Sequence, residues 1–202
     1  MKLKILGLML LLTSTSLFAG KKIEFKEADT NRWVYVLKNK DIPANELFKF
    51  KGNSLIVTDV TAGYIRTQKK YKNFTLDVDW RFLKDKSNSG VLVHILPNDT
   101  VWPTCYQAQL KAYSAGDIIC MNGLKATECT NNENGTVVKM NASNEQPTEA
   151  WNHIKVISKD GTLTVYINGK LQNKITGMSV KKGYIGFQAE GKPMEFKDLV
   201  IK

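Results

Sequence analysis

The sequence predicts an all-β protein, an antiparallel two-sheet β-sandwich of the jelly-roll kind. Three observations carry this. Strand-length runs alternate apolar and polar residues with period two, two-residue Gly-containing turns separate several of them, and no long amphipathic helix follows residue 20.

The clearest run is 74–82, where Phe74, Leu76, Val78, Trp80 and Phe82 share one face and Thr75, Asp77, Asp79 and Arg81 the other. The same pattern recurs at Tyr106, Ala108 and Leu110 against Gln107, Gln109 and Lys111, and at Leu163, Val165 and Ile167 against Thr164 and Tyr166. Asp160-Gly161 and Asn168-Gly169 have the chemistry of tight hairpin turns, so strands near 154–157, 163–167 and 171–175 form a meander. Further strands are expected at 54–57, 64–67, 91–96, 137–140, 183–188 and 196–201. Alternation along the run 91–95 puts His94 on the face of Leu92. Residues 131–150, rich in Asn, Glu, Ser and Pro, read as loops around the strand near Val137.

Two lysines, an apolar run from Ile5 to Leu12 and a small residue, Ala19, before Gly20 form the pattern of a signal peptide at 1–19. The run is too short for a permanent span, and a single domain is expected over 20–202, exported to the periplasm or the medium with no membrane anchor. The chain has 29 basic and 19 acidic residues. Without Lys2 and Lys4 the net charge is about +8, spread along the chain with no basic run, which argues against nucleic acid as a partner. Export lets a disulfide persist among Cys105, Cys120 and Cys129. Cys120 with Cys129 closes the shortest loop and Cys105 with Cys120 the next, and spacing does not choose between them. Nothing in the sequence specifies an oligomeric state.

Chemistry-bearing candidates sit on the polar sides of these strands. Gln107, Gln109 and Lys111 place two amides and an amine in a row, suited to sugar hydroxyls because amides both donate and accept; a solvated outer face would show the same pattern. Gln188 and Glu190 share a face near the C-terminus, where the carboxylate could deprotonate a bound sugar or simply be a surface acid beside Lys192. Asp117 follows a Gly-containing turn, Arg81 ends the strongest strand, and Asn88 lies in the loop after it. Trp33 and Trp102 could stack on sugars or belong to the core. With two histidines and no CxxC, zinc is disfavoured, and a divalent metal held by oxygen ligands has no support.

Taken in order, Asp79-Trp80-Arg81, Asn88-Ser89-Gly90-Val91, Trp102-Pro103, Gln107-Ala108-Gln109-Leu110, Ala115-Gly116-Asp117, Glu149-Ala150-Trp151-Asn152, Val165-Tyr166-Ile167-Asn168-Gly169, residues 183–191 and residues 195–199 resemble the 3-keto-disaccharide hydrolase family. The resemblance spans nearly the whole chain after the signal peptide. It implies a concanavalin A-like jelly roll and cleavage of glycosides already oxidised at the third sugar carbon. In that chemistry a base removes the acidified C2 proton, the C1 substituent leaves by elimination, and water adds back. On this sequence the base role falls to Glu190, with Asp117 second, and contacts to substrate fall to Arg81, Asn88, Gln107, Gln109, Lys111 and Gln188. The family strand commonly reads Glu-x-Gln where this chain has Gln107-Ala108-Gln109, and an amide cannot serve as a general base. The rival expectation is therefore a non-catalytic glycan-binding module.

Overall fold

The computed structural model describes residues 24–129 and 135–202; the expected signal peptide lies outside them. In chain order the strands are β1 (Trp33–Leu37), β2 (Phe48–Lys51), β3 (Ser54–Val57), β4 (Gly63–Thr67), β5 (Phe74–Phe82), β6 (Gly90–Ile95), β7 (Tyr106–Gln109), β8 (Ile118–Cys120), β9 (Thr136–Val137), β10 (Asn152–Lys159), β11 (Thr162–Ile167), β12 (Lys170–Ile175), β13 (Tyr184–Ala189) and β14 (Met194–Ile201). They form two seven-stranded sheets, β1-β4-β13-β6-β7-β8-β9 and β12-β11-β10-β5-β14-β3-β2. Every pairing is antiparallel. The fold is the expected jelly-roll sandwich.

Alternation explains the layering. All five apolar residues of β5 are buried, and they meet Val91, Val93, Ala108, Ile185 and Phe187 of the first sheet in one core. Each such side chain contributes on the order of 1.5–3 kcal/mol on burial. Trp33 stacks on Phe25 at 5.6 Å between ring centres, deep in this core, so it offers no sugar surface. The meander forms as expected: β10 pairs with β11 and β11 with β12. Asp160, Gly161, Asn168 and Gly169 all have φ between 49° and 85°, the left-handed region that these hairpin turns require.

The structure departs from the sequence expectation in three places. β1, β2 and β8 are additional strands: β1 (WVYVL) has no alternation to detect, and the other two have only four and three residues. The strand expected at 137–140 stops at Val137, because Lys139 N–H turns to the Asp117 carboxylate and Met140 N–H to the Gln172 carbonyl. His94 does not share the face of Leu92. A register shift between β13 and β6 and a φ of 54° at His94 turn it inward, where Nε2 lies 2.7 Å from Ser158 Oγ on β10. Burial lowers the His94 pKa to about 4, against a weaker opposing contact from the Tyr71 backbone. Cys120 and Cys129 form the disulfide, and Cys105 is a buried free thiol whose pKa burial pushes up.

Candidate functional site

The site is assembled on the face of the first sheet that points away from the core. Along β7, Tyr106 and Ala108 enter the core while Gln107 and Gln109 face outward; along β13, Phe187 and Ala189 enter it while Gln188 faces outward. Gln107 Nε2 donates to Gln109 Oε1 at 2.8 Å and to Gln188 Oε1 at 3.1 Å. One amide group thus ties two strands across the intervening β6. The room comes from Gly90 on β6: a Cβ there would lie 2.6 Å from Gln107 Cγ. These three amides are not the solvated face that alternation alone allows. Gln107 is 3% exposed and Gln188 2%, so the trio is a buried polar network that holds its own members in place.

Solvent-accessible chemistry lies at the end of this face. Glu190 follows Gln188 on the same side of the chain and is half-buried. Burial raises its pKa, and the nearby Lys111 cation opposes the rise. Asn88 packs on the turn after Glu190, since a Cβ on Gly191 would come within 3.0 Å of its backbone nitrogen. The Asn88 side-chain oxygen is buried without a hydrogen-bond donor among the described residues. Ser87 and Ser89 anchor the same loop through hydroxyl bonds to the carbonyls of Lys192 and Gln188.

Asp117 lies on the neighbouring β8 edge, its carbonyl accepting from Gln109 N–H at 2.9 Å. Its carboxylate already accepts the Lys139 N–H and is 9% exposed, so it is committed to holding the loop. Arg81 is not brought to this face. It sits on β5 in the other sheet, where Glu195 takes its guanidinium at 2.7 and 3.0 Å and the Trp151 ring lies 4.5 Å away. The residues that gather are therefore Glu190, Lys111, Asn88, Gln107, Gln109 and Gln188, with Asp117 alongside and Arg81 elsewhere.

Two groups of residues had no clear sequence signal. Arg66 on β4 makes a two-pronged ion pair with Asp99, both bonds 2.7 Å, and Tyr64 donates to the same carboxylate at 3.3 Å. The Arg66 hydrogen bonds hold Asp99 below the usual carboxylate range. This straps the β6–β7 loop, with Trp102 41% exposed on it, across a small apolar patch of Tyr64, Leu92, Ile95 and Cys105 beside the amides. The second group is Tyr113 with Lys86, whose ammonium lies 4.2 Å from the ring centre. An arginine between Ile65 and Thr67 in a strand was the one visible hint; its partner lies 33 residues away. A separate recess of about 520 Å³ near β1 and β2 is lined by Tyr35, Phe48, Lys49 and Phe50 among others, and none of its lining residues is a carboxylate or histidine. Among the described residues no group of three or more His, Cys, Asp or Glu side chains is placed to hold a metal ion.

The family described as 3-keto-alpha-glucoside-1,2-lyase-like domain matches residues 13–202. The chain belongs to that family. This places it among carbohydrate-active jelly-roll proteins. Solved structures share the fold at low identity. One is a protein from Parabacteroides distasonis assigned to the glycosyl hydrolases, with 21% identity, TM-score 0.62, and coverage of 85% of this chain and 88% of that one. Another is a β-glucanase from Bacillus licheniformis, with 11% identity, TM-score 0.61, and coverage of 91% and 98%. A third is the carbohydrate-binding module CBM66 from Bacillus subtilis, with 12% identity, TM-score 0.59, and coverage of 85% and 95%. No curated protein matches the chain in sequence. Among the described residues, no helix is long and apolar enough to cross a membrane.

Proposed function

We propose that the chain cleaves 3-keto-glycosides by elimination at the outer face of the first sheet, with Glu190 as the base. The observation that carries the reading is Glu190 itself, a half-buried carboxylate with an elevated pKa, beside Lys111 and the Asn88 loop, in a chain of this family. A base must be deprotonated yet basic, and burial raises proton affinity in that direction.

The steps balance as follows. The Glu190 carboxylate takes the C2 proton, and the C2–H electron pair forms the C2–C3 double bond of an enolate with its charge on the C3 oxygen. The Lys111 ammonium supplies positive charge for that oxygen. The enolate returns its pair, re-forming the C3 carbonyl and a C1–C2 double bond, and the C1–O bond breaks with its electrons leaving on the departing oxygen. The proton held by Glu190 goes to that oxygen, and water adds across the new double bond for net hydrolysis. The half-buried Asn88 side chain lies at the edge where a sugar hydroxyl would approach, while the three buried amides fix the strands under the reacting ring. The leader pattern at 1–19 supports action in the periplasm or outside the cell.

A glycan-binding role is the second reading, favoured by the closed Gln107 network, which has an amide where the family strand commonly carries a carboxylate. Incubation of the protein with a 3-keto-glucoside and with its unoxidised parent decides between them. The elimination reading predicts aglycone release from the keto compound alone, with kcat/KM rising with pH through the elevated Glu190 pKa and that limb moving to higher pH in Lys111→Met. Binding with no release from either compound would leave only the glycan-binding reading.

A further inference from the structure

Tyr113 sits at the third position of a turn closed by Ser114 N–H bonding to the Lys111 carbonyl, with φ of 68°. That position and conformation favour Gly or Asn. A tyrosine there stores backbone strain, and its ring does not repay it by burial: the residue is 66% exposed, and the ring contact recorded for it is the Lys86 ammonium. The backbone is nevertheless held from several directions. Tyr113 N–H donates to the Glu145 carboxylate at 2.9 Å, and its carbonyl accepts from Ser143 Oγ at 2.9 Å and from the Lys139 ammonium. Strain at an exposed, firmly clamped aromatic is a sign of use rather than of folding.

The location fits that use. Lys111 is near enough to Glu190 to oppose the rise in its pKa, and Tyr113 lies two residues further along in the same turn. The Lys86–Asn88 segment connects them, with Lys86 on the Tyr113 ring and Asn88 against the turn after Glu190. We infer that Tyr113 is the stacking platform of a second subsite, holding the sugar ring attached across the scissile bond from the unit that Glu190 deprotonates. Lys86 covers one face of the ring and a pyranose packs on the other, its C–H groups on the π surface and its hydroxyls toward the flanking ammonium groups. This subsite rests on the elimination reading only for which ring sits where; the platform itself is a binding feature.

The test uses affinity, so it does not depend on turnover. Calorimetry on the full chain carrying Glu190→Gln measures binding of 3-keto-trehalose and of methyl 3-keto-α-glucoside, with and without Tyr113→Gly. Glycine suits the left-handed backbone, so the variant keeps its melting temperature. The expected result is about tenfold weaker binding of the disaccharide, little change for the methyl glycoside, and retention of affinity in Tyr113→Phe. Equal weakening of both ligands, an unchanged disaccharide affinity, or no disaccharide binding in the chain with Tyr113 intact would overturn the subsite. Tyr113-dependent binding together with no product release by the native chain would uphold the subsite and sink the elimination reading.

Discussion

Replacing Gln107 by Glu puts a carboxylate at the centre of the amide network, and the structure predicts that it damages this particular protein. Gln107 Nε2 supplies both protons of the network, one to Gln109 and one to Gln188, at a position 3% exposed. An ionised carboxylate there donates neither, and it turns its charge on two amide oxygens. Each buried hydrogen bond left unmade costs about 1–3 kcal/mol, so a loss of roughly 2–6 kcal/mol is expected near pH 8, or at least about 4 °C in melting temperature for a domain of this size. Protonation of the new side chain returns one donor. Its pKa is therefore raised in the folded state, the folded chain binds more protons than the unfolded one, and stability relative to the parent recovers as pH falls toward 5. Thermal melts of parent and variant at pH 5, 6.5 and 8 test this. A variant as stable as the parent at pH 8, or a deficit that is the same at all three values, would refute the donor role of Gln107.

Two further perturbations read other parts of the structure. His94 is depressed to about 4, below its unfolded value near 6.5, so the unfolded chain binds the extra proton and stability falls as pH drops through that window, by about 3 kcal/mol in all. His94→Asn, which tolerates the positive φ, should lose this part of the acid sensitivity; melts at pH 4–7 that keep the same slope would count against it. Asp99→Asn removes the charge facing Arg66, whose side chain is 9% exposed while that of Asp99 is 40% exposed. Discounted for that exposure, the cost is about 1–2 kcal/mol, and hydrogen exchange should quicken in residues 97–104; an unchanged exchange pattern would show that the pair does not strap the loop.

The fold was legible because period-two alternation and Asp-Gly and Asn-Gly turns are local signals, carried most clearly by β5, β7 and β11. β1 and β8 were not legible, since a wholly apolar five-residue run and a three-residue strand have no period to read. His94 shows the limit of alternation: one bulge reverses the faces of His94 and Ile95 together, and no composition marks it. At the site, Gln107, Gln109, Gln188 and Glu190 were found by asking which polar faces hold unusual groups, and the sheet order then placed β7 and β13 on either side of β6. Arg81 fitted the same reasoning but belongs to the other sheet, because strand order across a sandwich is not written in any one strand. The Arg66–Asp99 pair and the Tyr113 platform depend on contacts between loops distant in sequence.

The claim that Glu190 removes the C2 proton is tested most directly by following deuterium at that carbon. A 3-keto-glucoside incubated with the protein in deuterated water, with residual substrate recovered before completion, should gain deuterium at C2 or show a primary isotope effect on release when C2 is already deuterated. Glu190→Gln should abolish both while remaining folded. Exchange or release at the parental rate in Glu190→Gln would contradict the account.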